Sequence, residues 1–347
     1  VYKRLVLGLS LGLVLSSALF CLAEKPEAKP DRKPEAGSDN DHLKATTNDD
    51  SDSSHDEETS ASESKYSPFS EVLEDPTTIE GLLTLYRKDE KLYVEINRGD
   101  LDKDFIVLIS IARGIGETPL LGGMTWSDGD DWIWQFRKSG DRIQIVRRNV
   151  RFTADEGSPE AKAVRLAYTD SVLFSLPIAT KSSSGGYVVD FTSVLMSDLP
   201  RISSVLRGFS FSKDKSNWAS VKGFDDNVEI QIAATYSSSG SREFDTVADS
   251  RGVTINVHYS ISRLPQTGYK PRLADDRVGY FLTVLKDFSR KFREDRFVRY
   301  INRWDLRKAD PSADLSPPKK PIIFWLEKTV PFEYRLSLIH ISEPTRH

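Results

Sequence analysis

Metal centres and general bases most often draw on histidine, and this chain has five. His42 and His55 lie in an acidic, Ser-rich stretch, and His340 and His347 lie close to the end. That leaves His258 as the histidine of a segment patterned to fold. A catalytic zinc takes three protein ligands plus water. An HExxH helix supplies two of them at i and i+4, with the Glu as base. One imidazole does not make that site, so no catalytic, cofactor-binding or metal-ligating residue is assigned in this chain. His258 is in phase with Thr254, Asn256 and Ser260 along the alternating stretch Val253 to Ile261. It is expected to face solvent or to hydrogen-bond locally. Ser260 shares its face, but the sequence offers no oriented acid and no nucleophile elbow to complete a serine relay.

Other constellations carry less. Asp128-Gly129-Asp130-Asp131 groups carboxylates as a calcium loop would, but lacks the later ligands and terminal Glu of an EF-hand; an acidic turn is expected. Trp126, Trp132 and Trp134 could form an aromatic platform for sugar or peptide. Alternate aromatics on a strand more often pack inward, and core is the expectation. Gly114-Ile115-Gly116 follows an apolar run, but no third glycine comes at dinucleotide spacing and Pro119 spoils the helix start. Arg290, Lys291 and Arg293 are interleaved with Asp287, Glu294 and Asp295, the pattern of a solvated mixed-charge surface rather than an anion cleft.

The elements that must position these residues are mostly strands. Leu82 to Tyr86 and Leu92 to Ile96 flank Arg87-Lys88-Asp89-Glu90-Lys91 as a hairpin with a polar turn. Phe105 to Ala112 is a continuous apolar run, suited to a strand buried on both faces. Trp132, Trp134 and Phe136 alternate with Ile133 and Gln135. With Arg142 to Val150 beyond Ser139-Gly140-Asp141, they predict a second hairpin. Ser158 before Pro159 and Glu160 starts a helix running to about Leu166. Val172 to Leu176 and Gly186 to Phe191 read as strands, followed by a short helix capped by Asp190 or Thr192 and ending at Met196. Val228 to Ile232 and Val253 to Ile261 read as half-buried antiparallel strands. Tyr280 to Leu285, Phe297 to Leu306 and Ile322 to Leu326 complete the strands, with a Pro-rich boundary from Asp310 to Pro321. The fold class expected is α+β and β-rich: antiparallel sheets with a few short helices.

Both ends read as something other than fold. Lys3 and Arg4, the apolar run Leu5 to Leu22 and a Cys21-Leu22-Ala23 cleavage site make residues 1–23 a secretory signal peptide. Ser10, Ser16 and Ser17 break the run, arguing against a retained membrane helix, and Phe20 before Cys21 argues against a lipoprotein. Cleavage removes the single cysteine, so stability rests on an ordinary core rather than disulfides. Residues 24–65 hold thirteen acidic and six basic side chains with Leu43 as the one large apolar residue, the composition of a disordered acidic tether. The body, 66–335, is nearly neutral at about +1, which gives no electrostatic case for nucleic acid, a partner that calls for a basic stripe. Residues 336–347, LSLIHISEPTRH, resemble the in-frame translation of a transposase-type sequencing adapter. They are set aside as an artefact, with the natural protein expected to continue past Arg335.

Three stretches carry a family resemblance: IEGLLTLYRKDEKLYVEI (79–96), DDRVGYFLTVLKDFS (275–289), and RYINRWDLRKADPS (299–312) running into KKPIIFWLEKTVPFEYR (319–335). Their order resembles the N-terminal region of bacterial secreted zinc-dependent metallopeptidase-like proteins, in which domains of unknown function precede an HExxH zincin domain. The resemblance implies an N-terminal β-rich module over 66–155, a second β-rich α+β module over 156–312, and the start of a truncated metallopeptidase-like domain over 313–335, including that domain's first strand. It implies zinc for the full-length parent and none in this chain. The implied partners are the C-terminal zincin domain of the same polypeptide and, in the parent, a peptide or protein substrate. Localisation is expected to be secreted or periplasmic, with no membrane association after signal cleavage. The chain itself is expected to be inactive, supporting or shielding the zincin. The alternative is a stand-alone exported binding module for glycan or peptide.

Overall fold

The computed structural model describes residues 66–126, 132–289, 295–323, 326 and 329–342. Residues 1–65, over which a signal and a tether are expected and which include His42 and His55, the Asp128–Asp131 cluster, and Arg290, Lys291, Arg293 and Glu294 lie outside the described residues. A short helix, α1 (Phe69–Val72), leads into strands β1 (Thr77–Ile79), β2 (Leu85–Lys88), β3 (Lys91–Ile96) and β4 (Phe105–Arg113). Next come β5 (Trp132–Ser139), β6 (Arg142–Arg147), β7 (Phe152–Thr153) and helix α2 (Pro159–Ala167). After α2 follow β8 (Ser171–Lys181), β9 (Tyr187–Asp190) and α3 (Thr192–Leu195). Strands β10 (Ser210–Phe211), β11 (Asn217–Phe224), β12 (Asn227–Ser237), β13 (Gly252–Arg263), β14 (Leu282–Asp287) and β15 (Phe297–Ile301) precede a final helix, α4 (Phe332–Ser342).

Twelve of the strands form one antiparallel sheet, ordered β1-β2-β3-β9-β8-β6-β5-β4-β13-β12, with β11 and β10 both pairing with β12. Its two ends come back together. The Leu82 amide donates to the Phe224 carbonyl (2.7 Å), and the Trp218 indole donates to the Glu90 carbonyl (2.9 Å). Glycine makes this seam possible: a Cβ on Gly81 would sit 2.6 Å from the Phe224 nitrogen, and one on Gly223 would sit 2.0 Å from the Glu80 carbonyl oxygen. Inside the curl, alternate residues of every long strand meet in one core. Phe105, Trp134, Phe136, Tyr236 and Tyr259 are its largest buried members. α3 and the turn after it add Val194, Leu195, Ile202 and Leu206 to the same core.

Residues 66–155 and 156–312 therefore share a core: β3 pairs with β9, β6 with β8, and β4 with β13. β4 is not buried on both faces. Its burial alternates, because an antiparallel strand presents one face to the core and the other outward. The doubly buried strand is β3, whose outer face is covered where α1 packs Phe69 and Val72 onto a cluster with Leu73, Tyr86, Tyr93 and Val188. The first hairpin turns on Asp89-Glu90 alone, with Asp89 at φ 52°, while Arg87 and Lys88 pair with Leu92 and Lys91. α2 starts as its sequence predicts, with the Ser158 hydroxyl accepting from the Ala161 amide.

Strands β15, β14 and β7 form a separate three-stranded sheet. Beyond Ile301 the chain is largely irregular. Residues 321–323 and 326 adopt no strand, so the strand expected over Ile322 to Leu326, the first of the zincin domain, is not formed there. Strand pairing needs a neighbour, and no described strand pairs with these residues. α4 crosses residue 336, where adapter-derived sequence was expected to begin, and exposes Phe332, Tyr334 and Leu336. Among the described residues, no helix is long and apolar enough to cross a membrane.

Candidate functional site on the outer sheet face

The register of β4, β13 and β12 brings the chain's titratable cluster together. Ser110 is the cross-strand partner of His258, and Gln231 flanks His258 on the other side. Glu229 and Ser260 are partners in a neighbouring row. Core-facing Val257 and Tyr259 turn His258 outward, as its phase with Thr254, Asn256 and Ser260 predicts. The ring is not free, however. Nε2 hydrogen-bonds the Glu229 carboxylate, and Nδ1 lies 3.5 Å from the Ser110 hydroxyl. The other Glu229 oxygen accepts from Ser260 Oγ (2.8 Å) and from the Asn227 amide. Lys222 is the cross-strand neighbour of Glu229 on β11. The His258 and Glu229 side chains are each about one quarter exposed, 23%.

The sequence missed Glu229 and Ser110. Both are ordinary polar positions of alternating strands, and only pairing across β4, β13 and β12 reveals them. The one signal available was the shared parity of Glu229, Gln231, His258 and Ser260, which is informative once the register is known. Chemically, the cluster contains an acid-oriented imidazole within reach of a hydroxyl, the proton-relay half of nucleophilic catalysis. It lies on the outward face of the sheet, and the nearby Ile111 amide already donates to the Met124 carbonyl (2.9 Å). That amide is therefore not free to hold an oxyanion beside Ser110. Three or more His, Cys, Asp or Glu side chains do not converge anywhere among the described residues.

A second polar cluster is more enclosed. Glu95 on β3 is only 4% exposed. It accepts from the Tyr86 hydroxyl on one oxygen and from Ser182 and Ser184 on the other, each at 2.6 Å. Burial by itself raises a carboxyl pKa, but the three hydroxyls outweigh it and hold Glu95 below its ordinary range. The same contact, added to its own burial, pushes the Tyr86 hydroxyl well above its ordinary value. The backbone comes very close here: a Cβ on Gly186 would stand 2.3 Å from the carboxylate. This carboxylate locks the β8–β9 turn onto β2 and β3.

The tryptophans are not a platform. Trp134 is fully buried, Trp132 is 8% exposed with the Arg147 guanidinium 4.2 Å over its ring, and Trp126 donates to the Pro200 carbonyl (2.8 Å). Alternation on β5 turns the first two into the core, as expected for alternate aromatics. Gly114 and Ile115 pack against the Leu120 turn, where a Cβ on Gly114 would fall 1.9 Å from the Leu120 carbonyl oxygen. Asp287 ends β14, and Asp295 pairs with Arg299 (2.8 Å).

The two family matches divide this sheet between them. The model described as "Domain of unknown function (DUF5118)" matches residues 66–114, which supply β1 to β4. The model described as "Domain of unknown function (DUF5117)" matches residues 127–309, more than half of the chain. No curated protein matches, and no solved structure matches. Since β3 pairs with β9, and β4 with both β5 and β13, the two matched regions complete a single sheet. The chain belongs to the DUF5117 family of domains of unknown function, preceded by a DUF5118 segment folded into the same core.

Proposed function

We propose that this chain is the non-catalytic, β-rich region of an exported, zinc-dependent metallopeptidase-like protein, secreted or periplasmic. It supports or shields a zincin domain that follows in the same polypeptide and cleaves peptide or protein substrates. In this reading residues 1–23 are a removed signal, 24–65 a tether, and 336–347 a translated adapter standing where the natural sequence continues. The family resemblance supplies the partner's identity, and fold-level likeness alone does not establish function.

One observation carries the interaction half of the reading. Of the twenty-one exposed large hydrophobic side chains among the described residues, sixteen lie from Leu264 onward. On the small sheet, cross-strand pairing puts Leu282, Val284 and Phe297 on one exposed face with Lys286 and Arg299. Exposure continues along the chain through Trp304, Leu306 and Leu315 to Phe332. Exposed apolar side chains concentrated in one region in this way support an interaction site there. The chain that would follow is tethered beside it.

The decisive experiment is to read the gene beyond Arg335 in adapter-free DNA and to assay both products. The full-length protein is expected to contain HExxH and to cleave casein in a chelator-sensitive way, while residues 24–335 alone do not. Chelator-sensitive cleavage by 24–335 overturns the non-catalytic assignment. A stop codon soon after Arg335 returns the chain to the stand-alone binding module.

A further inference from the structure

The charge of this chain is unevenly divided. Residues 263–320 carry fifteen Lys and Arg against eight Asp and Glu, a net of +7, while residues 66–262 carry twenty-two against twenty-eight, a net of −6. Within the basic region, on the side of the β14–β15 hairpin facing away from Leu282 and Val284, lies a groove of about 350 Å³. Tyr269, Pro271, Thr283, Tyr300, Asn302 and Arg303 wall it, and none of its lining residues is acidic. Ligand pockets run from about 300 to 1,000 Å³, so this one suits the short end of a chain rather than a folded element.

Its polar wall consists of donors. The Thr283 hydroxyl donates to Asn302 Oδ1 (2.8 Å), which engages the amide oxygen; the Nδ2 hydrogens have no partner among the described residues. The Arg303 guanidinium donates to the Lys270 carbonyl (2.9 Å) and the Trp304 carbonyl (3.3 Å), and lies 5.0 Å over the Tyr269 ring. Those contacts hold the cation at the rim of an aromatic wall and leave three of its five N–H groups open.

One fixed guanidinium beside an amide NH2 matches a carboxylate, which is planar and singly charged. Phosphate recognition draws on clusters of arginines, and a single one lines this groove. Sugar hydroxyls need acceptors, and the one lining side-chain oxygen that can only accept, Asn302 Oδ1, already receives Thr283. The two tyrosine rings and Pro271 offer an apolar body something flat to lie on. The last residue of a chain carries a carboxylate and a side chain on one carbon, whereas Asp or Glu spends its side chain on the charge.

We propose that this groove binds the carboxy-terminal end of a peptide chain. The terminal carboxylate sits on Arg303 and Asn302, and an apolar or aromatic last side chain lies on Tyr269, Tyr300 and Pro271. The site needs no domain beyond this chain, so it stands apart from the metallopeptidase reading.

The test uses the full chain and a peptide ending in Leu-Phe, labelled with fluorescein at its amino end and followed by fluorescence anisotropy. The free-acid form is expected to bind at least about tenfold more tightly than the same peptide ending in an amide, as hydrogen bonds to a charged group would give. Arg303→Gln is expected to bring the two forms level. Tyr269→Leu is expected to weaken both alike, by about two- to tenfold. Equal or absent binding of acid and amide by the parent overturns the proposal, as does an acid preference that survives Arg303→Gln. Displacement of the peptide by equimolar phosphate or glucuronate also overturns it, assigning the groove to a bare anion or a sugar acid. Should Arg303→Gln fail to fold, the acid–amide comparison on the parent and on Asn302→Asp, expected to lose the acid preference, decide.

Discussion

A carboxylate as enclosed as Glu95 would ordinarily hold its proton more tightly, and its three hydroxyl donors reverse that tendency. Its folded pKa lies below its unfolded value of about 4.3, so the stabilisation is fully present above that value and is lost as pH falls through the folded pKa. Glu95→Gln is expected to cost about 1–3 kcal/mol at neutral pH. The gap in urea midpoints between variant and parent is expected to narrow at pH near 3; a gap that stays constant excludes the linkage. Little of this was legible in the sequence. Glu95 reads as the polar partner of Val94 and Ile96, and its donors Ser182 and Ser184 come from a turn far along the chain. His258 was legible in its outward orientation and illegible in its partners, because Ser110 and Glu229 reach it only through register. Ser110→Ala is expected to leave the fold unchanged, as removal of a half-exposed hydroxyl usually alters stability by less than about 0.5 kcal/mol, measured as the thermal midpoint.

Local hydrophobic periodicity found the elements whose signal is contained within them. The β5–β6 hairpin, the β12–β13 pair and the Ser158-capped α2 fall where alternation or capping chemistry puts them. β11 was missed: Asn217, Ser220, Lys222 and Gly223 dilute its alternation, and what holds it is β12 on one side and the seam on the other. The seam itself has no period to read, since it rests on two glycines that leave room for opposing backbone. Gly223→Ala forces a Cβ into the Glu80 carbonyl and is expected to destabilise by about 1–3 kcal/mol. In a sheet of this size that lowers the thermal midpoint by roughly 2–4 °C per kcal/mol. A midpoint equal to the parent's would mean that the seam is not closed in solution. The strand expected over Ile322 to Leu326 shows the converse, where apolar sequence suits a strand but lacks a neighbour.

At the scale of the molecule, the charge and apolar surface divide at about residue 263. The sheet before it is acidic and well covered, and the region after it is basic and apolar at its surface. Val284→Lys on the exposed face is expected to leave the stability of the large sheet within about 0.5 kcal/mol while lowering binding of a hydrophobic dye and self-association. Unchanged dye binding would show that the face is covered in the chain itself. The interleaving of the two matched regions has a temporal consequence as well. Ser110 meets His258 across 148 residues of sequence. At a synthesis rate of about 5–20 residues per second, β4 waits roughly 7–30 s for its neighbour to be made. Until then β5 and residues 123–126 can bond one edge of β4, while the edge that β13 takes has no mate. A nascent chain arrested between the two is therefore expected to be cut rapidly by proteases, and to become resistant only when β13 emerges.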